Sequence, residues 1–266
     1  MFERFAPPPH LSGAVEEFWH LQAPGNRTFS GLPKPWVEMI FSLQGRHSWW
    51  AGVGLPRYRY DHSWVTPLQS GVRFAHTYGG LDLFGVRLDI FAAHLLFGSR
   101  LVKTGNRPFP IKTALGADAD ELRCLLIPAT DAERIGILSR WLSVRIDSLR
   151  LRTPPVAELE NGGWRVASLA AAMDVGPRAL HKMFVKATGR SPKFWLRLAR
   201  FDRAVQIVGG QPVGVSLADL AAKTGYSDQA HMSRDFAEFG GLTPGAYVVT
   251  REGRAIAPPH FVSISA

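Results

Sequence analysis

Along this chain of 266 residues the spacing of apolar and polar positions changes character part-way. In the first part, short runs rich in aromatic and β-branched residues alternate with Gly/Pro turns: Val37 to Leu43, His47 to Ala51, Val72 to Thr77 and Leu83 to Leu88. Such runs predict β-strands, and their close spacing predicts a small barrel or sandwich. From Ile90 the apolar positions fall three and four apart: Phe91, His94, Leu95 and Gly98, then Leu122, Leu125 and Leu126, then Ile135, Leu138, Leu142, Ile146 and Leu149. That spacing predicts helices. Arg152-Thr153-Pro154-Pro155 follows, and because the residue before a proline resists helix, it marks the best domain boundary. Beyond it the helical period persists to Thr250, and the tail from Arg251, with Pro258-Pro259 and no apolar period, reads as irregular. The expected fold class is α+β. A β-rich, barrel-like domain with helices, residues 1–151, precedes an all-α domain, residues 152–266.

The second part repeats itself. Phe184, Gly189, Pro192 and Trp195 recur 52 residues later as Phe236, Gly241, Pro244 and Tyr247. Upstream of each copy stand a short Ala/Leu helix and a turn signal: Ser168 to Met173 before Asp174-Val175-Gly176-Pro177, and Ala218 to Lys223 before Thr224 to Asp228. Both copies therefore read as helix, tight turn, helix, at about residues 164–188 and 216–239. In the first copy Leu180, Met183, Phe184 and Ala187 share one helical face, which turns Arg178, His181, Lys182, Val185 and Lys186 outward. In the second, Met232, Phe236 and Phe239 turn inward, leaving Ala230, Ser233, Arg234 and Ala237 outside, with Arg234 equivalent to Lys182. A linker helix joins the copies, begun by Ser191 and Pro192 and ended by Gly209-Gly210. Its Trp195, Leu198, Phe201, Val205 and Val208 form a packing stripe, and Lys193, Arg197 and Arg200 an opposite one. At about 1.5 Å per residue this spacer would set the two units roughly one DNA turn apart.

Charge sharpens the reading. The formal balance is +9, and Arg178 to Arg203 alone holds eight basic residues against the single acid Asp202, which points to a polyanionic partner. An ordinary share of apolar (46%) and charged (20%) residues excludes a disordered or coiled-coil chain. One cysteine excludes a disulfide framework and a Cys-rich zinc site. Met1-Phe2-Glu3-Arg4 is not the start of a secretion signal, and Leu81 to Phe97 is interrupted by Asp82, Arg87 and Asp89, so a cytoplasmic protein without a membrane span is expected.

The second copy, Ala221-x3-Gly225-Tyr226-Ser227-Asp228-Gln229-x-His231-Met232-Ser233-Arg234-x-Phe236-x4-Gly241-x2-Pro244-x2-Tyr247, resembles the DNA-binding domain of the AraC family of bacterial transcription regulators. Arg200-x3-Ala204 in the linker resembles it too. The first copy departs from the family at Asp174-Val175-Gly176-Pro177, where a Gly-x-Ser turn is usual. The first half, in Leu32-Pro33, Glu38-Met39-Ile40-Phe41 and Gly85-Val86-Arg87-Leu88, resembles a domain of unnamed function found before such modules. The resemblance implies a transcription regulator that acts as an activator, with duplex DNA and RNA polymerase as partners, a small-molecule effector at the first domain and a homodimer.

Arg178, His181, Lys182, Gln229, Ala230, Ser233 and Arg234 are the expected base-contacting residues, since Arg or Lys bonds guanine O6 and N7 and Gln pairs with adenine. Lys186, Ser191 and Lys193 are the expected phosphate contacts. Phe184, Phe236, Trp195 and Tyr247 are read as core. In the first half Trp19, Trp36, Trp49, Trp50 and Trp64 with His47, His62 and His76 are candidates for lining a ligand pocket. No histidine pair has metal-ligand spacing, so neither metal nor cofactor is expected. Cys124, in Leu122-Arg123-Cys124-Leu125-Leu126-Ile127, reads as a small buried hydrophobe. Its alternative use, as a DNA-repair alkyl acceptor joined to the same module, and a cupin-like enzyme fused to that module, remain the competing readings; the leading one performs no bond chemistry.

Overall fold

The computed structural model describes all residues except 53, 61, 106, 147–153, 155–158, 160–162, 211–215, 252–259 and 264–266. The expected boundary at 151/152 and the helical position Leu149 lie outside the described residues. Nine strands form one antiparallel sheet among the described residues: β1 (Phe2–Phe5), β2 (Val15–Ala23), β3 (Arg27–Gly31), β4 (Val37–Trp50), β5 (Tyr58–Tyr60), β6 (Ser63–Thr66), β7 (Arg73–Leu88), β8 (Phe109–Pro110) and β9 (Phe261–Ser263). The pairing path runs β1-β2-β7-β4-β6-β8, with β3 also on β7 and β5 on β4. Two pairs of runs that the sequence separates are single long strands, β4 and β7. They pair with each other from Val37↔Leu88 to Trp50↔Phe74, and the register shifts between Ser42 and Arg46 absorb the turn-like Gly45 of β4 opposite Gly79-Gly80 of β7. Gly45 has φ of +91°, and a Cβ there would stand 2.1 Å from the Gly80 carbonyl oxygen, so only glycine fits.

Strand alternation gives the sheet two different faces. Val37, Met39, Phe41, Phe84, Val86 and Leu88 point to one side, where they pack on helices α1 (Ile90–Phe97), α2 (Arg100–Lys103), α3 (Lys112–Leu115), α4 (Asp118–Leu126) and α5 (Asp131–Arg145). The α5 start is a complete capping box, Thr130 with Glu133. The other face carries Trp19, Ile40, Trp49, Tyr60, Trp64 and Leu83. Trp19 lies flat on this face because Gly85 beneath it has no side chain; a Cβ there would sit 2.2 Å from the indole ring. Cys124 is exposed, as is Leu125, because the buried stripe of α4 is Ala119, Leu122 and Leu126. The expectation of a buried thiol is thereby corrected: an apolar stretch of sequence does not say which of its members a helix turns outward.

Helices α6 (Val166–Ala172), α7 (Pro177–Thr188), α8 (Pro192–Gly210), α9 (Leu217–Lys223), α10 (Gln229–Asp235) and α11 (Pro244–Arg251) form the second part, α10 continuing through a π-helical turn at Phe236–Gly240. Its core does not stop at the expected boundary. Leu32, Leu68, Ile90 and Phe91 from the first part share one buried cluster with Phe184, Trp195, Phe201 and Phe236. Phe91 meets Phe184 edge-on at 5.2 Å, a geometry contributing about 0.5–1.5 kcal/mol beyond the area it buries. The Trp195 indole N–H donates to the Pro35 carbonyl at 3.0 Å. The tail is not irregular throughout: β9 pairs with β3, and Leu32 N–H donates to the His260 carbonyl at 2.8 Å. A three-residue strand on an edge carries no period that a sequence scan can detect.

Charges are buried where the two parts meet. Glu38 accepts from Lys34 at 2.8 Å and from Arg87 at 3.0 Å, and Arg87 also pairs with Glu17, which pairs with Arg4. Burial works against the Glu38 charge, yet Lys34 and Arg87 hold its carboxyl down at about 2. Asp202 of α8 faces this group and contacts His260 Nε2 at 2.5 Å. Burial pushes Asp202 up to about 7, and the same burial, with Lys34 and Arg87 nearby, pushes His260 well below its ordinary value. The pair therefore holds one proton between them. A raised acid stabilises most below its unfolded pKa and loses that as pH rises; a lowered histidine stabilises most above its unfolded pKa and loses that as pH falls. For this pair the two slopes oppose each other below about 6.5. Asp202→Asn removes the slope of the acid, so relative to the parent the variant should lose stability on acidification from about 6.5 to 4, by up to about 1.4 kcal/mol per pH unit. Urea unfolding across that range measures it.

Candidate nucleic-acid interface

Both repeats fold as a short helix, a turn and a second helix. Equivalent bonds close the turns: Val175 N–H donates to the Ala170 carbonyl and Tyr226 N–H to the Ala221 carbonyl, each at 3.0 Å. These residues stand 51 positions apart, whereas the second helices repeat at 52. The second turn is one residue longer. In each turn one residue takes the left-handed conformation, Asp174 at φ of +50° and Gly225 at +76°. The departure at Asp174 to Pro177 therefore leaves the turn intact: aspartate adopts this conformation more readily than most residues, Gly176 is the N-cap and Pro177 opens α7. Gly225 cannot be replaced so easily, since a Cβ on it would lie 2.1 Å from the Trp164 ring, which ties the start of the first unit to the turn of the second.

The inward faces are those expected. Leu180, Phe184 and Ala187 of α7, and Met232, Phe236 and Phe239 of the second unit, are buried, as are Trp195 and Tyr247. Outward, Arg178, His181, Lys182, Val185 and Lys186 are exposed along α7, which contains no acid. Gln229, Ala230 and Arg234 are exposed on α10 and Ser233 is half-buried. Asp228 caps α10 by accepting from His231 N–H at 2.7 Å, and Arg234 Nε donates to the Ala230 carbonyl at 3.3 Å. Ser191 serves as the N-cap of α8, its Oγ accepting from Phe194 N–H at 3.2 Å. Lys193 is exposed. It lines one groove with Arg197, Arg200, His231, Arg234, Asp235 and Glu238, so linker and second unit face a common space of mixed charge.

The outward stripe expected of the linker is corrected at two positions. Arg197 is half-buried, donating to Asp235 at 2.7 Å and to Glu238 while lying over the Phe239 ring. Arg200 lies over the Tyr226 ring, its charge opposed by burial. Both are used to hold α10 against α8. The signal available in sequence was the acid Asp235 on an otherwise apolar inward face, 38 residues from its partner, too distant to pair without the fold.

Residues 169–249 match the family model of a helix-turn-helix domain. This segment is a helix-turn-helix domain. Residues 3–110 match a domain of unknown function, DUF6597. The helix-turn-helix part is similar to YidL of Escherichia coli (strain K12), described as an uncharacterized HTH-type transcriptional regulator, at 31% identity over 36% of this chain and 32% of that one. It is also similar to the transcriptional activator NphR of a Rhodococcus species, at 30% identity over 38% of this chain and 29% of that one. The chain spans about a third of the length of these curated relatives. Among solved structures, ToxT from Vibrio cholerae is similar over 87% of this chain and 98% of its own, at 14% identity and a TM-score of 0.48. The DNA-binding domain of AdpA, solved with a target DNA, is similar over 38% of this chain and 96% of its own, at 24% identity and a TM-score of 0.32. No helix among the described residues is long and apolar enough to cross a membrane.

The pair of Arg197 with Asp235 gives this helix-turn-helix segment a testable joint. Asp235 is 1% exposed, and removing Arg197 leaves a buried carboxylate with only the more distant Arg200 charge opposing it. Arg197→Ala should cost about 3–5 kcal/mol, the range for breaking a buried ion pair from one side. Chemical denaturation followed by far-UV circular dichroism gives the value; a loss under about 1 kcal/mol would mean the pair is solvated.

Proposed function

We propose that the chain is a transcription regulator that binds duplex DNA through α7 and α10, each entering a major groove, while the sheet domain senses a small molecule. The observation that carries this is the repeat of one arrangement: an apolar inward face fixed in the core and an outward face of cations and small polar residues open to solvent, on both second helices. Arg178, His181, Lys182, Gln229, Ala230, Ser233 and Arg234 are proposed to read base edges; Lys186, Ser191 and Lys193 are proposed to hold phosphates. Activation, suggested by the name of one relative, requires RNA polymerase as a second partner, and a dimer of the chain in the cytoplasm completes the reading.

The test is binding of the full chain to duplex fragments selected from a random library. With four to six phosphates neutralised, the logarithm of affinity should fall against the logarithm of salt with a slope of about −4 to −5. Lys182→Ala and Arg234→Ala should each cost about 1–3 kcal/mol and relax preference at different base positions, whereas Lys193→Ala should weaken all sequences alike and flatten the slope by about one unit. Affinity independent of salt, or both recognition-helix variants relaxing the same bases, would contradict the two-groove arrangement.

A further inference from the structure

The aromatic face of the sheet lines a partly open cavity of about 120 Å³. Of the eight aromatic residues and histidines that the sequence offers for a pocket, the fold brings Trp19, Trp36, Trp49, Trp64 and His47 to its wall. Trp50 lies elsewhere, stacked on Phe74 under Arg57; His62 is exposed on another surface; His76 bonds Thr28. Within the wall Trp49, Tyr60 and Trp64 form a stack, with Tyr60 6.2 Å from Trp49 at 9° and 5.7 Å from Trp64 at 29°. These surfaces suit a flat, apolar body. A closed cavity of about 150 Å³ holds one benzene ring, so this smaller one takes at most a single ring, with any substituent toward its open side.

The polar groups of the wall are unbalanced. Trp19 Nε1, Trp36 Nε1, Ser48 Oγ, Arg73 Nε and His260 Nδ1 are buried without a hydrogen-bond partner, although native interiors leave few such atoms. The two indoles, the guanidinium and the hydroxyl all donate. The carboxylate in the wall, Glu38, is already held by Lys34 and Arg87. Lys34 is thus neutralised, whereas Arg73 bonds the Val72 carbonyl and has no carboxylate partner among the described residues. A surplus of donors around one unneutralised guanidinium calls for an anion rich in acceptors, and a carboxylate meets a guanidinium through two parallel bonds.

We infer that this cavity binds a one-ring aromatic carboxylate, its ring against the Trp49-Tyr60-Trp64 stack and its carboxylate on Arg73. The inference deepens the sensing role proposed above and rests on that reading only for its effect on DNA. The means of transmission is in place. Leu32, in the cavity wall, lies 3.7 Å from the position of a Cβ on Gly240; Val72, next to Arg73, lies 3.9 Å from that of Gly241; and His260, also in the wall, holds Asp202 of α8. An occupant that moves Arg73 presses on the end of the second recognition unit.

Titration of the full chain with benzoate and with phenylacetate, read by tryptophan fluorescence and calorimetry, tests this. One of the two should bind saturably at one site per chain. Benzamide, neutral and of the same shape, and decanoate, an acid without a ring, should each bind at least about tenfold more weakly. Arg73→Gln should weaken the aromatic acid by about tenfold or more and leave benzamide within about twofold, which also reports that the variant's cavity is folded. No saturable binding of either acid below about 10 mM, benzamide equal to the acids, or decanoate the tightest would overturn the inference. Selected-duplex binding on the same preparation separates the two readings: intact DNA binding with no acid bound overturns only the cavity assignment, and absent DNA binding strikes the regulator reading.

Discussion

The rest of the structure depends on one buried seam, where linker helix α8 is set into the edge of the sheet domain. Trp195 is fully buried there, and its indole N–H has a single position to satisfy, the Pro35 carbonyl. Losing that acceptor would leave a buried donor unpaired, a cost of about 1–3 kcal/mol, so the loop at Pro35 and the helix hold each other in register. Phe184 packs between Phe91 and Trp195, which extends the seam into the first recognition helix. Asp202, one face further along α8, meets His260 beside the network of Lys34, Glu38 and Arg87. Sheet, linker and tail thus share an interior, and displacement of one edge is felt at the others because packed interiors do not deform smoothly.

This construction accounts for what the sequence made legible. The repeat of Phe184, Gly189, Pro192 and Trp195 as Phe236, Gly241, Pro244 and Tyr247 is visible because each residue answers a local demand: an inward ring, a left-handed helix end, a helix start, a second inward ring. Gly189 and Gly241, at φ of +70° and +66°, show the demand directly. The cationic outward faces were legible for the same reason, since a helix with one apolar stripe has only one way to face a core.

What the sequence concealed is non-local. Val37 to Leu43 and His47 to Ala51 looked like separate strands because Gly45 reads as a turn, and only the opposing Gly79-Gly80 of β7 shows it to be an irregularity within one strand. Arg197 looked solvent-facing until Asp235 was brought beneath it. Of the candidate pocket residues, Trp49 and Trp50 are neighbours in sequence, and strand alternation alone decides that one lines the cavity and the other meets Arg57. The strand Phe261–Ser263 contributes three residues on an edge, below any periodic signal.

The central claim is that the sheet domain and the two recognition units form one cooperative interior. Differential scanning calorimetry of the full chain tests it most directly. One transition with equal calorimetric and van't Hoff enthalpies, coincident with the loss of both tryptophan fluorescence and helical circular dichroism, is the expected result. Two resolved transitions, with helical signal surviving after the tryptophans of the sheet domain are exposed, would contradict it.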